Sequence, residues 1–509
     1  MKSLKYSLSY LKISQILQCR KFSSKSKWQS VIGLEIHAQI AAQSKLFSRA
    51  GTNFGAPVNT QVSLLDCGIP GTLPCLNRRC VEAAVLTGLA LNCKINLTSE
   101  FDRKHYFYAD IPTGYQITQQ RKPIAQDGYI EFLDGKIEKK KVHIKQIQLE
   151  QDSGKSLHDS ANERSLIDLN RAGMGLMEIV FEPELHSAEE AANMVNDLIL
   201  VLKKLKTCDC KMDEGSLRVD ANISVHRPDE PLGVRTEIKN LNSVRAMVKA
   251  IEFEIQRQIQ VLREGGKVVN ETRGFDPSSN QTVPMRDKEA KQDYRFMPEP
   301  NLTPLRLDDD PDMISDRVNV AHLRSQIPKM PDKIRSEIMN QYNVDLQIAN
   351  QLIRNESLFD YFARTISNRS IPGKKVYHAI VTDLSAKLFE RGLEFDPSYI
   401  KPEDLGMMVE LLFKKKISNF VYEELIGLYL DGEQKNPTEV VEEKGWFVID
   451  DSEELKKLCQ TAMDQLPKAV SDYRRGKKRA INALAGQVKK ISGGMADMNL
   501  VTRILKDLL

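Results

Sequence analysis

The sequence predicts an α+β fold in which a domain of antiparallel sheet precedes a run of helices. Three observations carry this. Segments 31–40, 145–152, 217–226 and 234–240 alternate apolar and polar residues with a period of two, as strands buried on one face do. Beyond the Pro- and Asp-rich stretch 298–311 the apolar period lengthens to that of helices. The 509 residues also exceed what one core supports, so about two to four domains are expected.

The chain opens with Lys2, Lys5, Lys12, Arg20, Lys21, Lys25 and Lys27, and the first acid is Glu35. This acid-free, Ser-rich, basic leader over 1–27 reads as a mitochondrial transit peptide, with the stretch from Arg20 to Ser24 suited to cleavage. Taking its 7 bases from the total of 73 leaves 66 against 69 acids, a net charge of −3. Hydrophobic residues at 41% and charged residues at 28% exclude wholesale disorder and a collagen-like chain. No apolar run approaches the roughly 20 residues of a membrane helix, so no membrane insertion is expected. The eight cysteines are sparse, none forms a CxxC, and Cys208 and Cys210 lack a second ligand pair. They read as thiols in a reducing compartment, with no zinc site expected.

In 31–40, Leu34, Ile36, Ala38 and Ile40 form one face and Glu35, His37 and Gln39 the other. In 217–226, Leu217, Val219, Ala221, Ile223 and Val225 point inward, and Arg218, Asp220, Asn222, Ser224 and His226 outward. Ser187 followed by Glu190 makes a capping box for a helix over 188–206, and a second helix runs from Asn242 or Ser243 to a stop at Gly265-Gly266. Helical periodicity then covers 315–326, 332–354, 356–368, 374–391, 402–414 and 418–431, with three or more helices after about 438. Between Lys468 and Lys490 eight bases, Arg474, Arg475, Lys477, Lys478 and Arg479 among them, face the single acid Asp472. Such a run is either a solvated helix face or a surface for phosphates.

Two short strings imitate nucleotide motifs. Gly154-Lys155-Ser156 lacks the glycine-rich cradle of a P-loop, and Gly173-Met174-Gly175 has Glu178 where a dinucleotide fingerprint needs glycine. What survives is a set of carboxylates and one imidazole on strand faces: Glu35 with His37, Glu150 beside Gln146, Gln148 and Asp152, and Glu237 beside Arg235 and Lys239. Glu178 stands among apolar neighbours, where a carboxylate needs a partner or a cation. Arg103, Lys104, Arg171, Lys239, Arg273, Arg286, Lys288 and Arg295 supply nearby bases, and residues 102–108 interleave bases with aromatics in a pattern that suits phosphate and base stacking. Periodicity leaves two readings open: a converging cation site, or separate strand residues and salt bridges.

Eight strings, read together, resemble the B subunits of tRNA-dependent amidotransferases in their mitochondrial form: VIGLEIHAQI at 31–40, GIPGTLPCLN at 68–77, FDRKHYFYADIPTGYQITQ at 101–119, IQLEQDSGKSLHD at 147–159, DLNRAGMGLMEIV at 168–180, GSLRVDANISV at 215–225, RTEIKNLNS at 235–243 and MRDKEAKQDYRFMPEP at 285–300. The resemblance implies a cradle-shaped catalytic domain, expected at 30–312, a helical domain at 313–435 and a small helical, tRNA-binding tail domain at 436–509. It implies a mitochondrial-matrix ligase subunit that uses ATP to phosphorylate the side-chain carboxylate of glutamate carried on glutamine tRNA. Ammonia from a separate amidase (A) subunit then displaces phosphate, with a small C subunit completing a heterotrimer. It further implies Glu35, His37, Glu150 and Glu237 as ligands of Mg²⁺, Glu178 as part of the channel or metal site, and Glu150, Glu178 and His37 as groups able to accept protons as the amide forms. Arg286, Lys288 and Arg295 are the candidate ATP contacts, and Arg474, Arg475, Lys477, Lys478 and Arg479 the candidate tRNA contacts.

The chain departs from the family pattern at two places. Gln151 stands where many bacterial relatives carry a second acid, which puts the number of cations in question, and Cys67 has no CxxC partner. An alternative of another class is a noncatalytic scaffold that delivers charged tRNA.

Overall fold

A computed structural model describes residues 28–134, 138–159, 161–285 and 294–509. The leader, Arg286 and Lys288 lie outside the described residues. The chain divides into two compact units between Lys333 and Ile334.

The first unit holds strands β1 (Gln29–Gln39), β2 (Lys94–Ile95), β3 (Thr98–His105), β4 (Tyr115–Lys122), β5 (Ala125–Leu133), β6 (Lys139–Gln151), β7 (Lys155–Asp159), β8 (Arg164–Asp168) and β9 (Gly175–Phe181). They continue as β10 (Leu217–His226), β11 (Thr236–Leu241), β12 (Thr272–Asp276), β13 (Gln281–Pro284), β14 (Met297–Pro298) and β15 (Leu305–Arg306). Its helices are α1 (Arg78–Ala90), α2 (Ala188–Leu205), α3 (Val244–Arg263) and α4 (Val320–Ser325). Among the described residues nine strands form one sheet in the order β13-β12-β11-β10-β1-β9-β6-β5-β2. Its pairs are antiparallel except β11 with β12, which run parallel. Strands β14, β3, β15 and β4 make a second, smaller sheet, and β7 pairs with β8 in a hairpin.

The alternation along β1 and β10 determines which face is buried. Leu34, Ile36 and Ala38 of β1, Val219, Ala221 and Ile223 of β10 and Met177 and Ile179 of β9 enter one core with the apolar stripes of α1, α2 and α3. The opposite face carries the polar residues. Helix α2 starts where its cap predicts, the Ser187 hydroxyl accepting from Glu190 N at 3.1 Å. The return bond of the box lands one residue early, His186 N donating to Glu190 Oε2 at 2.8 Å. Helix α3 is capped by Ser243 and stops before Gly265, whose φ of 78° suits glycine.

Helix α4 packs on this first core through Val320 and Leu323, although its texture is that of the helices that follow. The periodic segment 332–354 is not one helix but two, Pro331–Tyr342 and Leu346–Arg354. Asn343 takes a φ of 47° and Asp345 caps the second helix by accepting from Ile348 N, so a left-handed residue and a new cap break a continuous apolar pattern.

The second unit, Ile334–Leu509, contains two hydrophobic clusters. One is built from residues between Ile338 and Val441, the other from helices Ser452–Gln465, Ile481–Ile491 and Met498–Leu508. No helix among the described residues is long and apolar enough to cross a membrane.

Candidate active site

The register of the large sheet brings distant polar residues into rows on one face. In one row Gln148 of β6, Glu178 of β9, His37 of β1 and Arg218 of β10 stand directly opposite one another. The adjoining row holds Gln146, Val180, Glu35 and Asp220, and on the other side Glu150 and Gln39 flank Leu176. Glu237 of β11 lies opposite Asn222, whose Nδ2 donates to Glu35 Oε1 at 3.1 Å. Directly opposed side chains share a face, so five strands contribute to one polar surface.

His37, Glu150 and Glu178 each offer an atom within 4.8 Å of the others. Glu150 is 2% exposed and Glu178 7%. His37 Nε2 lies 3.8 Å from Glu178 Oε1, and Gln148 Nε2 donates to Glu178 Oε2. The smaller sheet supplies a cation, Lys104 Nζ standing 3.5 Å from Glu150 Oε2. Burial raises the Glu150 carboxyl above its ordinary value; Lys104 opposes the rise and Glu178 adds to it. Burial likewise works against the Lys104 ammonium, but Glu150 and Glu178 outweigh it and hold its pKa high. Glu35 is raised first by burial and then by the like charges of Glu237 and Asp220.

The structure therefore gathers Glu178, His37 and Glu150, and sets Glu35 and Glu237 beside them on the same face rather than within the trio. Glu237 lies 3.7 Å from Lys239 Nζ and accepts from the Thr272 hydroxyl. Buried Glu150 Oε2 has no hydrogen-bond partner among the described residues. A buried carboxylate whose Oε2 makes no hydrogen bond beyond its 3.5 Å ion pair with Lys104, standing beside a second carboxylate and an imidazole, is a donor set that fits a hard divalent cation. Gln151 is turned away from this set, as successive strand residues are. It pairs with Gly175, and its Oε1 accepts from Ile117 N at 3.0 Å.

Several residues join the site that the acid set alone did not include. Asp220 opposes Glu35 directly, and Arg218 Nη2 donates to Asp152 Oδ2 at 2.8 Å. Both belong to the polar face that period two exposes. Tyr294, reached by Lys104 Nζ at 5.2 Å from its ring centroid, gave no such signal. Arg295 lies near the end of β3, where its carbonyl accepts from His105 Nδ1 at 3.0 Å. Arg273 does not face the cleft. It is buried between Glu271, Glu254 and Thr282 and belongs to the packing of α3. In the second unit Arg474, Arg475, Lys477, Lys478 and Arg479 are all exposed, following helix Pro467–Arg474 into a short turn, with Lys477 paired to Asp472 at 3.1 Å.

The α+β unit and the helices that follow it both match known family models. Residues 30–312 match the GatB/GatE catalytic domain and residues 360–509 the GatB domain, and the chain belongs to this GatB family. Among its relatives is the B subunit of the mitochondrial glutamyl-tRNA(Gln) amidotransferase of Drosophila melanogaster, 47% identical over 492 residues that cover 95% of each chain. The Homo sapiens protein of that name is 47% identical over 494 residues, covering 94% of this chain and 88% of its own. The B subunit of the aspartyl/glutamyl-tRNA(Asn/Gln) amidotransferase of Rickettsia canadensis is 42% identical over 483 residues, 95% of this chain and 98% of its own.

Proposed function

We propose that the chain acts as the B subunit of a mitochondrial glutamyl-tRNA(Gln) amidotransferase, converting glutamate on misacylated glutamine tRNA to glutamine with consumption of ATP. The observation that carries the site assignment is the trio His37, Glu150 and Glu178, assembled from β1, β6 and β9 with ligand atoms within 4.8 Å of one another. The names of the relatives and their near-complete coverage support the reaction.

The substrate carboxylate is a poor acyl donor because oxide is a poor leaving group. Transfer of the ATP γ-phosphoryl group to it forms an acyl phosphate, and attack by ammonia then releases phosphate and leaves the amide. His37, Glu150 and Glu178 would hold Mg²⁺, with Glu35 and Glu237 adding negative charge nearby. When bound, that ion supplies charge neutralisation and alignment for phosphoryl transfer. Lys104 and Lys239 place further positive charge beside the same carboxylates. The C–N bond forms only if the nitrogen sheds a proton, and the acceptor in this reading is a carboxylate or imidazole of the same face that is not engaged with the cation. Ammonia comes from a separate amidase subunit, with a small third subunit completing the complex. The exposed bases at 474–479 meet the phosphates of the tRNA body.

The test is the purified complex with misacylated tRNA, omitting ATP and glutamine in turn. Glutaminyl-tRNA should form only when both are present, and an acyl phosphate should be trapped when glutamine is withheld. A scaffold that only delivers tRNA forms neither, so absence of glutaminyl-tRNA from the complete mixture together with absence of acyl phosphate from the glutamine-free one overturns the reading.

A further inference from the structure

We propose that the loop joining β3 to β4, together with Tyr294 and Phe296, is a stacking platform for a single nucleobase at the rim of the carboxylate cleft. This rests on the amidotransferase reading, which brings two such bases to the cleft: the adenine of ATP and the bases of the single-stranded acceptor end of tRNA.

The loop is ordered by its own hydrogen bonds, Tyr106 N to Gly114 O at 3.1 Å, Ile111 N to Tyr108 O at 3.0 Å and Gly114 N to Ile111 O at 2.9 Å. On this support Phe107 and Tyr108 do not fold inward, while Tyr106 is half-buried. Phe107 is 87% exposed and Tyr108 53%. A large apolar ring held open on a rigid loop forgoes burial that the nearby core would supply, which marks it as a contact surface. Gly114, at φ +75°, leaves room for the Phe107 ring, since a Cβ there would come within 3.1 Å of the ring edge.

Four of the rings form one set, and Phe107 stands between two of them in the chain. Tyr106 meets Tyr108 at 5.4 Å and Tyr294 at 6.1 Å between centroids, and Tyr294 meets Phe296 at 6.1 Å, all edge to face. Residues 294–298 are tied to β3 by His105 N donating to Tyr294 O at 2.8 Å and by the pairing of β14 with β3. Cations are interleaved with the rings. The Arg103 guanidinium lies 4.2 Å over Tyr115, and Lys104 Nζ lies 5.2 Å over Tyr294 while also reaching Glu150 at 3.5 Å. Aromatic faces with intervening positive charge are what a base and its attached phosphate require. The same Lys104 links the platform to the carboxylate trio, so a base stacked on the rings places its phosphate or ester beside the acids.

The test compares Phe107→Ala, Phe107→Leu and Phe107→Tyr in the assembled complex. The dissociation constant is measured for ATP alone and for uncharged tRNA alone, so that no turnover is needed. Ala and Leu should each weaken one of the two by about 5- to 150-fold, the range of a lost base–aromatic stack, whereas Tyr should stay within about twofold of the original. A rise for ATP alone assigns the base to adenine. A rise for tRNA alone assigns it to the acceptor end, and the effect should vanish with tRNA lacking its terminal nucleoside. Unchanged constants for Ala with both ligands, no binding of either ligand by the unaltered complex, or recovery by Leu as full as by Tyr each overturn the platform, the last because it leaves an ordinary apolar contact. Failure of the amidotransferase reading shows separately, as the absence of glutaminyl-tRNA from the unaltered complex supplied with every substrate.

Discussion

Glu150→Gln removes one negative charge while keeping the shape of the side chain. At 3.5 Å from Lys104 Nζ the gross attraction is about 5 kcal/mol at an effective dielectric of about 20. Desolvation of two largely buried groups cancels most of it, and the net value of such a charge-assisted contact is about 1.5–3 kcal/mol. The larger effect is on cation binding. Even a residue that only supports a metal ligand is worth about 10- to 100-fold in affinity, so a direct carboxylate should be worth at least as much. Mn²⁺ titration of the purified complex, followed by electron paramagnetic resonance of the free ion, reads that loss directly. Amidation of misacylated tRNA should fall with it, while glutamine hydrolysis by the partner subunit continues. Gln151→Glu is the control, because position 151 bonds Ile117 N on the other side of β6 and should leave Mn²⁺ affinity within about twofold. Mn²⁺ affinity unchanged in Glu150→Gln, with full amidation, would refute the assignment of this trio.

Burial and like charges raise the folded-state pKa of Glu35 and Glu150 above their ordinary 4.5, so the cation-free protein should lose stability as pH rises from there through the raised values, and divalent-cation affinity should rise over the same window; thermal unfolding and Mn²⁺ titration across pH 5 to 8 check both. Glu254 is the opposite case: burial would raise it, but Arg257, Gln258 and Thr282 hold its pKa down, so its contribution is present above 4.5 and is lost as pH falls. Glu254→Ala removes the buried acceptor of Arg257, Gln258 and Thr282 while Arg273 keeps Glu271, and should cost about 1–3 kcal/mol of stability in denaturant titration, away from the carboxylate trio. Neutralising Arg474, Arg475, Lys477, Lys478 and Arg479 together should weaken tRNA binding and flatten the plot of log affinity against log salt by about one unit for each side chain that meets a phosphate. An unchanged slope would remove this surface from the tRNA contact.

Period-two alternation is a local property, and it was enough to show that Glu35 and His37 share a face, that Glu150 shares one with Gln148, and that Leu217 to Val225 carry an inner apolar row. Caps are local too, which is why Ser187 and Ser243 mark the starts of α2 and α3. The matching strings carried the family from the same letters. What no local pattern contains is which strands become neighbours and in what register. That pairing puts His37 opposite Glu178 and Glu178 opposite Gln148, and sets Glu150 one row along, because a shift of one residue in any strand would turn its whole polar face into the core. It also decided that Gln151 serves β4 rather than the cleft, that Arg273 is an internal support, and that Lys104 and Tyr294, far apart in the chain, meet beside a carboxylate. Faces follow from the covalent geometry of each strand, whereas the convergence of charges follows from burying many apolar faces at once. Only the folded sheet sets those charges within a few ångströms of one another.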